Sequence, residues 1–127
     1  MEALARRRRY FRLKDGSFLD LSAMEEAARH LCGEHDFSAF CGNARMKKST
    51  VRYIRSIEIE SHGEELRLYF TGNGFLHNMV RILVGTLVEV GRGERSVESI
   101  PELFGGKRAE AGFLAPAQGL CLMEVTY

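Results

Sequence analysis

The sequence predicts an α+β domain, an antiparallel sheet with helices packed on one of its faces. Three observations lead there. Residues 51–60 and 65–70 alternate apolar and polar side chains with the period of half-buried strands, and Ser61-His62-Gly63-Glu64 between them reads as a hairpin turn. Residues 76–90 carry apolar side chains at helical spacing on nearly every face, which marks a helix buried on most sides. The order of segments, helix, strand, strand, helix, short helix, strand, segregates the helices to one side of the sheet. A chain of 127 residues with 45% hydrophobic content suits one domain with one core and argues against disorder.

Taken in order, Arg6-Arg7-Arg8-Arg9 is a block of like charge, read as a solvated arm or an electrostatic contact to phosphate. Residues 1–18 are assigned to this basic arm and a short strand, and 19–127 to the domain proper. Tyr10 to Leu13 supplies the strand and Lys14-Asp15-Gly16-Ser17 a turn. Ser22-Ala23-Met24-Glu25 has the pattern of a capping box, so the first helix is expected to start at Ser22. Leu21, Met24, Ala28 and Leu31 form its buried stripe, Glu25, Glu26, Arg29 and His30 face outward, and Gly33 ends it. His35-Asp36-Phe37 with Phe40 reads as a loop held by two aromatic anchors, in which Asp36 caps a following turn rather than acting as a nucleophile.

Arg45-Met46-Lys47-Lys48-Ser49-Thr50 is a polar, basic loop. In the strand that follows, Val51, Tyr53, Ile57 and Ile59 are expected on the buried face; in the next, Leu66, Leu68 and Phe70. The central helix starts irregularly at Asn73 or Gly74, and Gly91 is expected at its left-handed C-terminal cap. Ser96 to Phe104 forms a short helix in which Pro101 fits only the first turn, and Gly105-Gly106 stops it. Ala115-Pro116 delivers a last strand with Leu120, Leu122 and Val125, which must pair with the earlier hairpin.

Composition narrows the function. A net charge of +1 argues against a strongly basic nucleic-acid binder, although a near-neutral total can hide a basic face. Cys32, Cys41 and Cys121 are odd in number and lack C-x-x-C spacing, which suggests neither a disulfide framework nor a zinc site and fits a reduced, cytoplasmic setting. The charged start, Met1 to Arg9, is followed by no apolar core of signal-peptide length, and the central helix is too short and interrupted for a membrane span. Gly72-Asn73-Gly74 lacks the spacing of a phosphate-cradling loop, and no His/Cys cluster suggests a metal.

One charge interrupts the central helix. Arg81 has His77 one turn before it and Gly85 one turn after, and the missing side chain at Gly85 lets another segment come close. A buried guanidinium without a partner costs several kcal/mol. Arg81 is therefore expected to meet a carboxylate, a phosphate or a carbonyl, or to snorkel toward a local glutamate such as Glu89.

The stretch Gly74-Phe75-Leu76-His77-Asn78-Met79-Val80-Arg81-Ile82-Leu83-Val84-Gly85-Thr86-Leu87 resembles a signature segment of the tRNA pseudouridine synthase A family. Gly33-Glu34-His35-Asp36-Phe37-Ser38-Ala39-Phe40 before it and Ala115-Pro116-Ala117-Gln118-Gly119-Leu120-Cys121-Leu122 after it match in the same order. The likeness covers residues 19–127 but corresponds to the C-terminal half of a usual member. It implies half of a two-plait fold whose sheets join, with RNA across the cleft between them. It also implies isomerisation of uridine to pseudouridine in the anticodon arm of tRNA, by an aspartate nucleophile without metal or organic cofactor. That aspartate lies in an Arg-Thr-Asp-x-Gly-Val-His-like motif of the N-terminal half. The aspartates here, Asp15, Asp20 and Asp36, stand in no such context, so no nucleophile is assigned and the chain alone is expected to be inactive.

On this resemblance Arg81 matches the basic residue that pairs with the catalytic aspartate. Phe75, Leu76 and Met79 would line the base pocket or belong to the core, and His77 and Asn78 would touch RNA or cap the helix start. Arg45, Lys47, Lys48, Lys107 and Arg108 are candidates for contacts to the RNA backbone. The implied partners are tRNA, the N-terminal catalytic half and, in the parent enzyme, a second copy in a homodimer. The alternative is a free-standing RNA-binding or dimerisation module without catalysis.

Overall fold

The computed structural model of the protein describes residues 8–43 and 45–116, together with the backbone of 121–126. Arg6, Arg7 and Leu120 lie outside the described residues. The chain opens with a two-stranded antiparallel ribbon, β1 (Tyr10–Arg12) and β2 (Phe18–Asp20), which faces Phe11 and Leu19 into the core. The second of these strands was not anticipated, since three residues are too few to show alternation.

Helix α1 (Leu21–Leu31) follows without a break, and its N-cap is Asp20, whose carboxylate accepts from the Ala23 N–H at 3.1 Å. The capping-box expectation at Ser22 is thereby corrected: the Ser22 hydroxyl accepts from the Arg9 N–H at 2.8 Å and ties the ribbon to the helix. Either side chain can cap, and Asp20 wins because the helical turn starts at Leu21. Leu21, Met24, Ala27, Ala28 and Leu31 are buried, the expected stripe with Ala27 added.

Residues 33–36, expected to be loop, form strand β3 (Gly33–Asp36), which pairs antiparallel with β4 (Val51–His62). Four residues of mixed polarity carry no strand pattern of their own; the long neighbour recruits them. Phe37 and Phe40 are fully buried around the 3-10 turn Ser38–Phe40, as aromatic anchors should be. Asp36 accepts from the Ser38 N–H at 3.1 Å and from the Thr50 hydroxyl, so it shapes this turn as expected.

Strand β4 does not keep one phase. A register shift between Ile54 and Ser56 inserts an extra residue, so Ile54 and Ile59 are buried while Val51 and Tyr53, expected inward, stand exposed on the other face. A bulge reverses the alternation, and a period-two reading cannot see it. Gly63, with φ of +62°, turns the chain into β5 (Glu65–Gly72), which buries Leu66, Leu68 and Phe70 as expected.

Helix α2 (Met79–Gly91) is buried at every residue except Arg81 and Glu89. Its last glycine is not a left-handed cap, because the helix runs through Gly91 and the positive φ falls at Gly93. Gly91 instead lets α1 approach: a Cβ there would lie 2.7 Å from the Met24 Sδ. The short helix is of 3-10 type over Val97–Leu103 and holds Pro101 in its interior, not in the first turn as expected. It buries Ile100 and Leu103, and Phe104 beyond it stacks on His35 at 3.9 Å.

Strand β6 (Cys121–Thr126) completes the sheet, whose order is β3-β4-β5-β6. The first three strands are antiparallel and β6 lies parallel to β5, because α2 carries the chain back to the end of the sheet where β5 began. The fold is therefore α+β, with both helices and the core on the face that carries Ile54, Ile59, Leu66, Leu68 and Phe70. No helix among the described residues is long and apolar enough to cross a membrane.

Candidate functional site

The segment from Gly72 to Asn78 brings the chain from the sheet to the start of α2, and its conformation is fixed from both sides. Asn73 continues the sheet beyond β5: its side-chain oxygen accepts from the Tyr53 N–H and its own N–H donates to the Tyr53 carbonyl, both at 3.1 Å. The Gly42 N–H donates to the His77 carbonyl at 2.8 Å, which docks the end of the 3-10 turn against the helix start. Asn78 adopts a left-handed φ of 58°, tolerable for asparagine, and its carbonyl accepts the Ile82 N–H at 3.0 Å.

These constraints shape a cavity of about 300 Å³ lined by Phe75, Leu76, Asn78, Met79, Val80 and Arg81. Five of the residues singled out in the sequence thus meet around one space. Leu76, Met79 and Val80 are buried at its base, while Phe75, Asn78 and Arg81 are half-buried at its sides. His77 is exposed and does not line it; its Nε2 lies 3.3 Å from the Asn78 amide nitrogen.

Arg81 is held by a segment that crosses α2. Its Nε donates to the Ala115 carbonyl at 2.7 Å, and the Ala115 N–H donates to the Arg81 carbonyl at 3.1 Å. Gly85 makes this approach possible, since a Cβ there would sit 1.8 Å from the Phe113 carbonyl oxygen. The expected close approach and the expected carbonyl partner are both present. Among the described residues the two terminal nitrogens of Arg81 have no partner, and no fully buried side-chain nitrogen or oxygen lacks one. Arg81 is itself one of the residues that line the cavity.

Glu89 is not the partner of Arg81. Eight residues along a helix amount to about 12 Å of rise, too far for a direct pair. Glu89 instead binds the Arg95 Nε at 3.1 Å and accepts from the Phe113 N–H at 3.3 Å. The same crossing segment, residues 112–115, is tied by the buried Thr86 hydroxyl, which accepts from the Gly112 N–H at 2.9 Å. Thr86 and Gly112 were missed by sequence reading. Their signal was faint: a hydroxyl inside an apolar helix, and a glycine without turn chemistry around it.

The basic candidates fall into two loops. Arg45, Lys47 and Lys48 are exposed in the loop that follows Gly42. Lys107 is exposed, but Arg108 is half-buried and its Nη1 donates to the Gly112 carbonyl at 2.8 Å, so its guanidinium braces the crossing segment. Among the described residues no group of three His, Cys, Asp or Glu side chains is placed to hold a metal ion.

A family model described as tRNA pseudouridine synthase matches residues 27–127. Among curated proteins, tRNA pseudouridine synthase A of Syntrophotalea carbinolica is 53% identical over 110 residues, covering 86% of this chain and 44% of the relative. Proteins of the same name from Geotalea uraniireducens, at 47% over 110 residues, and Shouchella clausii, at 46% over 121, cover 86% and 94% of this chain. The chain spans about 45% of the length of the curated relatives it matches.

Proposed function

Because this chain belongs to the tRNA pseudouridine synthase family, we propose that it acts as the C-terminal half of such an enzyme and contributes an arginine, one wall of the base pocket and part of the RNA surface. The observation that carries the reading is the state of Arg81: one donor is spent on Ala115, and among the described residues neither terminal nitrogen has a partner, beside a cavity large enough for a flipped base. With Nε fixed, the end-on fork of Nη1 and Nη2 is oriented to take a carboxylate through two parallel bonds.

In this reading the carboxylate is the nucleophilic aspartate of the N-terminal half. An opposite charge at contact distance in a partly desolvated site keeps that acid ionised and fixes its direction toward the sugar–base bond. The uridine, turned out of the anticodon arm, enters against Phe75 and the apolar base formed by Leu76 and Met79. Its glycosidic bond to nitrogen breaks, the base turns, and it rejoins through carbon. Arg45, Lys47, Lys48 and Lys107 track phosphates with salt-dependent affinity; Arg108 contributes less, because its guanidinium is engaged with Gly112. The parent enzyme works as a homodimer.

The test is reassembly. The chain alone, incubated with unmodified tRNA labelled with tritium at uridine C5, releases no tritium, and the same chain mixed with an N-terminal half bearing the aspartate motif does. Pseudouridine formed by the isolated chain would overturn the division of labour. Tight tRNA binding that is indifferent to loss of Arg81, with no turnover in the reassembled pair, would favour the binding-module alternative.

A further inference from the structure

We propose that Thr86, which is fully buried and is not among the residues lining the cavity beside Arg81, is a positioning residue that sets the direction of the Arg81 guanidinium through residues 112–115. The functional part of this inference rests on the proposed pairing role of Arg81. A threonine hydroxyl in a helix commonly satisfies itself on the carbonyl four residues back, and Thr86 does so on Ile82 at 2.9 Å. Its second bond is different in kind, because the Gly112 N–H comes from 26 residues away and has no helix of its own. The peptide on the other side of Gly112 is held as well, its carbonyl accepting from Arg108 at 2.8 Å.

The segment so fastened lies on the helix backbone with no slack. A Cβ at Gly112 would stand 2.6 Å from the Thr86 N and Cα, and one at Gly85 would overlap the Phe113 carbonyl. Three residues beyond the Thr86 tie, Ala115 closes its pair of bonds with Arg81. The position of the Ala115 carbonyl, and with it the plane of the guanidinium, is therefore set by where Gly112 is anchored. Thr86 supplies that anchor without touching the cavity.

The tie is measured on the isolated chain, without RNA or a second half, as solvent exchange of the Arg81 Nε–H by nitrogen-15 NMR. Thr86→Val keeps the shape and removes the acceptor; it accelerates that exchange about fivefold or more while the amides of Leu68 and Phe70 are unchanged. Thr86→Ser restores the hydroxyl and stays within about twofold of the parent chain. Unchanged Arg81 exchange in the valine variant, equal acceleration in the strand amides, or a serine variant that behaves like valine would overturn the proposal. Should the valine variant fail to fold, Arg108→Met releases Gly112 at its carbonyl, the next peptide along, and must accelerate Arg81 exchange too; no acceleration would sink the idea. In the reassembled enzyme Thr86→Val lowers kcat at unchanged KM and Thr86→Ser recovers it, whereas a normal kcat would refute the positioning role. A normal kcat in Arg81→Gln would instead refute the pairing role of Arg81 and leave the exchange result standing.

Discussion

Replacing Gly85 by alanine sets two effects of opposite sign against each other. An interior helical glycine is about 1 kcal/mol worse than alanine, so propensity alone predicts a more stable protein. The added Cβ, however, would lie 1.8 Å from the Phe113 carbonyl oxygen and 2.8 Å from its carbon, and these are backbone atoms. Relief requires the crossing segment to retreat by about 1.5 Å to reach ordinary contact. Four hydrogen bonds fasten that segment to α2, between 2.7 and 3.3 Å: Gly112 to Thr86, Phe113 to Glu89, and the two between Ala115 and Arg81. A retreat of that size breaks two to four of them at about 1 kcal/mol each. The net expectation is a loss of about 1–3 kcal/mol, read as a lower midpoint in urea denaturation followed by circular dichroism. A variant as stable as the parent, or more stable by the propensity increment, would refute the close crossing. Gly91→Ala is the control, because its Cβ meets the flexible end of Met24 and a shift of that sulfur absorbs it; its effect stays within about 1 kcal/mol.

Asp20→Ala removes the α1 cap and costs about 1–2 kcal/mol in the same assay, whereas Ser22→Ala costs less; the reverse order would reinstate the capping box. Burial pushes the Cys32 thiol above the ordinary range, so less thiolate is present at neutral pH. Its alkylation by iodoacetamide is correspondingly slower than that of a free cysteine peptide at pH 7 and catches up as pH rises through the shifted value; equal rates at pH 7 would contradict this. Lys47→Ala with Lys48→Ala weakens tRNA binding and reduces the salt slope by about 2, and an unchanged slope would remove that loop from the RNA surface.

Much of this fold was legible because long elements carry their own period. The stripes of α1 and β5 and the burial of α2 all follow from residue spacing. What escaped were features decided by a neighbour: β3 exists because β4 pairs with it, and the phase of β4 turns on a bulge at Arg55 that no side chain announces. Gly91 was misplaced because a glycine near a helix end suits a cap and a close helix contact equally well. At the candidate site, Arg81 and Gly85 stood out as a charge and a gap in an apolar run. Thr86, Gly112 and the bracing use of Arg108 did not, since their roles depend on a chain crossing that joins residues far apart in sequence.

The most direct measurement is the turnover of tRNA by the reassembled enzyme with Arg81 changed to glutamine, which keeps a polar side chain and removes the charge. The proposed pairing predicts that uridine conversion falls by about a hundredfold or more in kcat with tRNA affinity nearly unchanged, because in that proposal the guanidinium acts on the reacting acid and not on the RNA backbone. Turnover within a few-fold of the parent enzyme, or a loss confined to KM, would contradict that role.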